Sequence, residues 1–568
     1  MAAIDRRIGF IFLGFLALLG LALTRATYLG VIKAPTLQQA AVSQQITDDA
    51  IPAPRGTITD RNGVQLAISE SADTVTADPL LVKGNALVDA QKIAPLLNKP
   101  VLPVLAMLSK PHTGYVVLAR QLAPASAQKI MAMNINGIST APTIKRVYPR
   151  TWEAAQVLGG VNAAGDGDSG LEWWYNSALL GKAGERRIVS DAKGQAISID
   201  DVKPMLPGNT VKLTLDAALQ NQVEEVLAGV GNQYSPKLAT AIVMNPQTGA
   251  ILALANWPRV NANDPAGAPS FADEDQALQF NYEPGSTFKA ITVAGALQDG
   301  LVTPSTQFNI PPYLEAYGKQ ISDAESHGYE TLTTAGILKV SSNIGADLIG
   351  QKLGPNRFNS WVHRFGLGSD THVDLPGEDP GIILPPSKYS GTSMLNLPFG
   401  QGESVTPIQM AAAYAAIANG GILRPPHIVQ SIGGKAQALP KGRRIISATT
   451  AAELRDMLRG VLADGGTASG AGIPGYDMAG KTGTANIAVD GKYSDSEYVA
   501  SFVGMVPASH PQLLAMIVVD QPQGSIYGGS VAAPAFQKIV GWAVPYLGIA
   551  PNPAHVDTSD QNGPQPQP

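Results

Sequence analysis

Between Ile8 and Thr24 the chain reads IGFIFLGFLALLGLALT, a run without a single charge, bracketed by Asp5-Arg6-Arg7 before it and Arg25 after it. As a helix rising 1.5 Å per residue this run measures roughly 26 Å, just enough to cross a bilayer core if Arg25 reaches out to the headgroups. Two rival readings fit less well. A cleaved signal peptide has a shorter apolar core and a small-residue cleavage site, which Leu23-Thr24-Arg25-Ala26 does not supply. A buried helix of a soluble domain is rarely apolar on every face. The expectation is therefore an uncleaved single-pass anchor of the cytoplasmic membrane, with residues 1–33 comprising the cytoplasmic tip and the span. Arg6 and Arg7 favour an inside N-terminus, against a weaker pull from Arg25 and Lys33, which puts the rest of the chain outside.

Beyond the anchor the chain must fold as more than one core, because 568 residues exceed what one ordinary core accommodates. Hydrophobic residues at 45% against 15% charged describe a folded protein, and a net charge of −5 with no basic block argues against nucleic acid as a partner. There are no cysteines, which removes disulfides, thiolate nucleophiles and thiolate metal sites and fits an exported chain.

The polar stretch TLQQAAVSQQITDD suits a membrane-proximal linker or short helix. In IPAPRGTITDRNGVQLAIS, Thr57–Thr59 and Val64–Ile68 alternate in character about the turn Asp60-Arg61-Asn62-Gly63, a hairpin signal. Residues 85–135 read as mainly helical with proline breaks. The block 146–184 has helical spacing in AAQVLG and GLEWWYNSALLG around an acidic loop. From Lys237 the character changes: LATAIVMN and AILALANW read as strands joined at PQTG, and 286–470 as helical segments between Gly/Pro loops. Strand signals return at GYDMAGKTGTANI, YVASFVGMVP and QLLAMIVVDQP, and a last helix is expected in 532–544. The expected fold is multidomain α+β: a transmembrane helix (1–33), an α+β pedestal (34–230), a domain with an antiparallel sheet flanked by helices plus an all-helical subdomain (231–548), and a disordered tail (549–568).

Serine followed at three by lysine occurs at Ser126/Lys129, Ser190/Lys193 and Ser286/Lys289. For the first two the plain reading is a solvated pair. The third follows Pro284-Gly285 and opens STFKAITVAGALQ, which has good helical spacing. Ser286 then sits at a helix N-terminus, where free N–H groups favour developing negative charge, and Lys289 lies one turn along. Drawn into an apolar setting, Lys289 loses solvation and its pKa falls, so a free amine can accept the serine proton. Lys481 in Lys481-Thr482-Gly483-Thr484 supplies a second positive charge on an expected strand. Alternation puts Thr482 and Thr484 on one face, and Gly483 lets a substrate backbone come close. Ser341-Ser342-Asn343 offers a hydroxyl to relay a proton and an amide to orient a lysine or hold a carbonyl. The plain alternatives are a helix cap for Ser341 and a strand turn for Gly483.

Ser-x-x-Lys, Ser-x-Asn and Lys-Thr-Gly in this order resemble the signature set of penicillin-binding proteins and serine β-lactamases. The chain is similar to the class B penicillin-binding proteins from the anchor to about residue 548, through RGTITDRNG, RVYPRTWEAAQVLG, PGSTFK, VSSN, FGQGESVTPIQMAAAYAAIANGG and GKTGTA. VSSN, the FGQG…VTP run and YGGSVAAPAF resemble the cell-division branch more than the elongation branch. The resemblance implies a peptidoglycan D,D-transpeptidase without metal or cofactor, inhibited by β-lactams, with D-Ala-D-Ala stem peptides as substrate. It implies Ser286 as nucleophile, Lys289 as general base and Ser341 as relay to the leaving amine, with Lys481 in electrostatic support. Asn343 would hold the substrate amide, Thr482 and Thr484 the terminal carboxylate, and the N–H groups of Ser286 and Thr484 the oxyanion. The family also implies a polytopic membrane glycosyltransferase and divisome proteins as partners.

The rivals are an elongation-type transpeptidase, a β-lactamase, and a β-lactam sensor or non-catalytic scaffold. A β-lactamase is usually a small secreted domain without this anchor and long N-terminal segment, although Glu403 in FGQGESVTP is a carboxylate that a hydrolytic role could use. A scaffold has no need of Ser286, Lys289, Ser341, Asn343 and Lys481 together.

Overall fold

The computed structural model describes residues 2–36, 46–82, 84–190, 196–489 and 492–552. Of the expected disordered tail 549–568, residues 549–552 are ordered, with Ile549 buried and Asn552 bridged to Tyr476; residues 553–568 and the linker residues 37–45 lie outside the described residues. Ala2–Thr27 is one helix that runs on into a π-helical turn, Tyr28–Ile32. Within it Arg6–Ile32, 27 residues with none buried, is the one described helix long and apolar enough to cross a membrane. At roughly 40 Å it exceeds the run read from sequence, because the chain stays helical past Arg25.

The chain divides into two compact units that do not follow chain order. The first takes in 1–55, 70–145 and 181–208; the second takes in 56–69, 146–180 and everything from 209 on.

In the first unit, Ile46–Ile51, Gly184–Ser190 and Ala196–Lys203 form an antiparallel sheet. Part of the expected linker, ITDD, is thus strand. Solvent-exposed ion pairs Arg187–Asp48 (2.8 Å) and Arg186–Asp201 (2.6 Å) span its neighbours and favour register more than stability. A second layer pairs Asp73–Ala77 with Val116–Leu122, and helices Ala86–Ile93, Val101–Leu108 and Pro124–Met131 share its core of Val75, Ile93, Leu108, Leu118 and Ile130. The strand Val116–Leu122 departs from the helical expectation for 85–135. Its partner lies some forty residues earlier in the chain, and a non-local pairing of that kind leaves no local signature.

The second unit is built on a five-stranded sheet, antiparallel throughout. The strand order is Ile251–Trp257, Leu238–Met244, Leu513–Asp520, Lys492–Val506 and Ala479–Val489. Every residue of Leu513–Asp520 is buried, so both faces of the sheet are covered. Helices Ala217–Tyr234 and Gly528–Tyr546 pack on the sheet and on each other, and the wholly buried Pro407–Ala418 packs on it as well. Each fully buried Ile, Val or Leu here, such as Ile242, Val518 or Ile539, contributes roughly 1.5–3 kcal/mol. The helical subdomain joins Lys289–Gln298 to Asn343–Arg364, Thr334–Val340 and Ala448–Arg459. Asn343–Arg364 is broken at Gly354 (φ 70°) ahead of Pro355. Between its helices this region also holds two small hairpins, Leu314–Ala316 with Lys319–Ile321 and Gln307–Ile310 with Glu330–Thr333.

The block RGTITDRNG closes onto this unit. Ile58 pairs with Ala67 as the expected hairpin, and the buried Asp60 carboxylate accepts from the N–H groups of Asn62 (2.7 Å), Val64 (2.8 Å) and Ala217 (3.0 Å). A turn residue thereby satisfies one orphan donor at the start of helix Ala217–Tyr234, beside the two taken by the helix's own cap Asp216.

Candidate active site

Residues Gly285–Phe288 form a 3-10 turn that feeds directly into the helix Lys289–Gln298. The turn docks on the edge strand Ala479–Val489, and two glycines make this possible. Gly285 is left-handed (φ 54°), and a Cβ there would lie 2.9 Å from Thr484 O. A Cβ on Gly483 would meet Ser501 Oγ at 2.2 Å and Pro284 O at 3.0 Å. Glycine at 483 is therefore demanded by the turn that carries Ser286 and by the neighbouring strand, a stronger reason than the substrate approach read from sequence.

Ser286 is half-buried, and Lys289, one turn on, is completely buried. Lys289 Nζ donates to Ser341 O (2.5 Å), Asn343 Oδ1 (2.7 Å) and Ser341 Oγ (3.2 Å). Lys481 Nζ, equally buried, donates to the same Ser341 Oγ at 2.8 Å. One hydroxyl thus bridges two lysines that are far apart in sequence. Ser341 reaches both because it is left-handed (φ 62°), closing helix Thr334–Val340, a conformation that costs a non-glycine residue about 1–2 kcal/mol. Ser342 is the cap of the next helix, accepting from Gly345 N–H at 2.9 Å. The helix-cap reading therefore applies to Ser342 on the N-terminal side and leaves the Ser341 hydroxyl to the lysines.

Thr482 Oγ1 is paired with Thr467 Oγ1 (2.7 Å), and Thr484 Oγ1 accepts from Gly528 N–H (3.1 Å). Reasoning from sequence does not reach Thr467 or Gly528, which stand outside the three motifs. Those motifs converge: Lys289, Ser341, Asn343, Lys481 and Thr482 form one connected network. Ser286 lies beside it, outside the acceptors that hold Lys289. Of the other serine–lysine pairs, Ser126 and Lys129 lie on the short helix Pro124–Met131 in the first unit, and Lys193 lies outside the described residues.

Burial pushes Lys289 down to about 7, with Asp323 and Asp347 pulling the other way. Burial and the Lys289 charge push Lys481 well below its ordinary range. Two amines sharing one hydroxyl shed their first proton far below the usual lysine value. Glu403 is buried with both oxygens unpaired, and burial raises it to about 8, so near neutral pH it is mostly a neutral acid.

Asp347, on the Asn343 helix, is also fully buried without a hydrogen-bond partner on either oxygen, and burial pushes it up to about 9. A carboxyl raised above its unfolded value weakens the fold progressively as pH rises from about 4 towards 9. Asp347→Asn should melt higher than wild type, by more at pH 8 than at pH 6. An equal or lower melting temperature at both pH values would show that the ionised carboxylate is compensated in the folded chain.

An antiparallel sheet is thus joined to a helical subdomain, and two buried lysines from the two parts meet at one serine hydroxyl. A family model described as the penicillin binding protein transpeptidase domain matches residues 239–541, and one described as the penicillin-binding protein dimerisation domain matches 50–213. The probable peptidoglycan D,D-transpeptidase PenA of Neisseria gonorrhoeae is 30% identical over 551 residues, 96% of this chain and 93% of that protein. The peptidoglycan D,D-transpeptidase FtsI of Escherichia coli K12 is 32% identical over 551 residues, 96% and 92% of the two chains. A crystal structure of penicillin binding protein 3 from Mycobacterium tuberculosis, complexed with ampicillin, superposes with a TM-score of 0.69 at 29% identity, covering 89% of this chain and 98% of that one. The chain belongs to the class B penicillin-binding proteins.

Proposed function

We propose that the chain is a serine-type peptidoglycan D,D-transpeptidase of the septal branch. The carrying observation is the Ser341 hydroxyl held between Lys289 and Lys481, next to Ser286 and on a sheet edge open to a substrate strand. An extended stem peptide adds to the free edge of Ala479–Val489, as peptides add to exposed edges elsewhere. Ser286 Oγ attacks the carbonyl carbon of the penultimate D-alanine while Lys289 takes its proton. The N–H groups of Ser286 and Thr484 hold the oxyanion, where one lost donor costs about 10²–10³ in rate. Asn343 steadies the substrate amide, and the hydroxyls of Thr482 and Thr484 take the terminal carboxylate. As the C–N bond breaks, Ser341, supported by Lys481, passes a proton to the departing D-alanine amine and leaves an ester on Ser286. An amine of a neighbouring stem peptide then attacks the ester, forms the cross-link and returns the serine its proton.

The likeness to FtsI over nearly the whole chain supports the septal reading, with a polytopic glycosyltransferase and divisome proteins as partners. The apolar helix supports a single-pass anchor, with its N-terminus inside and the catalytic unit outside. The matches at 50–213 and 239–541 support residues 34–230 as the non-catalytic interaction segment and 231–548 as the transpeptidase domain.

Transpeptidase and β-lactamase share the ester and differ in how fast water reaches it. Glu403, the carboxylate that the sequence offers for activating water, is buried and raised to about 8, so near neutral pH it is mostly a neutral acid and a poor base. Benzylpenicillin should leave an adduct on Ser286 of the detergent-purified full chain that intact mass still detects many minutes after the drug is removed. The same preparation should transfer an acyl group from a D-alanyl thioester to D-amino acids faster than it hydrolyses penicillin. Rapid turnover of penicillin with no surviving adduct would reassign the chain as a β-lactamase. A stable adduct without transfer would make it a sensor.

A further inference from the structure

The segment between Lys319–Ile321 and Glu330–Thr333 carries Asp323, a residue outside all three motifs. Its side chain is only 10% exposed and accepts four hydrogen bonds. Oδ1 takes the N–H groups of Asn343 (2.5 Å) and Ile344 (3.0 Å); Oδ2 takes Ser342 Oγ (2.7 Å) and His327 Nε2 (3.1 Å). One residue earlier, Ser322 O accepts from Asn343 Nδ2 at 3.0 Å. That last bond fixes the Asn343 amide, because turning it over would set a carbonyl against a carbonyl and an NH2 against the Lys289 ammonium. The same segment therefore satisfies the orphan donors of the Asn343 helix and aims Asn343 Oδ1 at Lys289.

We propose that Asp323 is a positioning residue for acylation: it seats the Ser341-Ser342-Asn343 turn so that this turn can hold Lys289 beside Ser286. The proposal rests on Lys289 being the base. His327 locks Asp323 in place. Its Nδ1 meets Gly328 O at 2.7 Å and its Nε2 meets the Asp323 carboxylate, two acceptors that together favour the protonated ring. The Gly328 carbonyl and the neighbouring carboxylates raise the His327 pKa. Asp323, His327 and Glu330 do bring ligand-type atoms within 4.8 Å of one another. With both Asp323 oxygens and both His327 nitrogens already engaged, the trio reads as a helix cap and not as a cation site.

The titratable groups facing Asp323 are His327 and Glu330 beside it, Lys289 on the Ser286 helix and Asp347 on the Asn343 helix, with Lys481 behind Lys289. Asp323 raises the pKa of Lys289 against the effect of burial, so removing its charge moves Lys289 down. Asparagine caps helices about as well as aspartate. In the full chain, Asp323→Asn should therefore melt like wild type while its acylation rate with fluorescent penicillin, measured from pH 5 to 9, reaches half its maximum at a lower pH. Asp323→Ala removes the cap as well and should lower the plateau by roughly 10–100-fold, the scale of a reacting group displaced by about an ångström. A merely structural residue would change the melting temperature and leave the midpoint where it was. A folded Asp323→Asn with the wild-type midpoint, or a folded Asp323→Ala with the wild-type plateau, overturns the proposal. If Asp323→Ala does not fold, the Asp323→Asn midpoint decides alone. A wild-type profile without any midpoint would instead remove Lys289 as the base, and the Asp323→Ala plateau would then decide the positioning role.

Discussion

Ser286→Ala abolishes covalent labelling of the full chain by fluorescent penicillin, whereas Ser126→Ala and Ser190→Ala label as wild type does. That is the expected result if only one of the three serine–lysine pairs is chemical. Ser286 alone sits on a turn packed against the Lys-Thr-Gly strand, one helical turn before a fully buried lysine. Ser126 lies on an eight-residue helix in the first unit, whose Lys129 is exposed to solvent and not drawn into a core. Losing the proposed nucleophile removes the bond itself, so the expected effect is all or none. Labelling of a folded Ser286→Ala chain would move the nucleophile elsewhere, and gel fluorescence together with a melting curve decides it.

The second large effect is expected at Lys289. Arginine keeps the charge and most of the length, but guanidinium does not deprotonate in proteins, so Lys289→Arg has no state able to take the Ser286 proton. Acylation should fall at least ~10²-fold, the lower bound for lost general-base catalysis. The same burial sets the wild-type profile. With Lys289 near 7, the free amine predominates above that pH and is lost below it, so the acylation rate should drop as pH falls through about 7. Arginine also has to fit among Ser341 O, Ser341 Oγ and Asn343 Oδ1, so a melting curve must accompany the rate. An active Lys289→Arg chain with a flat pH profile would assign the proton to another group, and Lys481, the other buried amine on Ser341 Oγ, is the first to test.

Much of this site is legible in the sequence, because its chemistry is carried by short strings whose order is informative. PGSTFK announces a turn, a helix and a lysine on its face; MAGKTGTANI announces a strand; and the structure makes both. The apolar strands around 238–257 and 498–520 are equally plain, since their residues are buried on both faces of the sheet. Whatever depends on a partner distant in sequence stays hidden. Asp323 lies in ISDAESHG, which has neither apolar period nor motif, and its role exists only once the chain folds back some twenty residues onto Asn343. Gly483 reads as a close approach, but its string does not disclose the neighbours, since Ser501 and Pro284 reach it only through the sheet and the docked turn. The strand Val116–Leu122 is silent for the same reason.

The interleaving of the two compact units bears on the order in which the chain can become a machine. Ile58, Leu66, Tyr148 and Leu171 belong to the same core as the strands of the catalytic sheet, and Asp60 reaches forward to the N–H of Ala217. These early segments are made first and cannot bury their apolar faces until residues beyond 209 exist. Contacts of such long range are slow to form and leave apolar surface exposed in the meantime. A fragment cut to begin at residue 231 would contain every residue of the site and yet lack part of its own foundation. Synthesis from the N-terminus thus withholds a working transpeptidase until nearly the whole polypeptide has been delivered, a built-in delay between anchoring and activity.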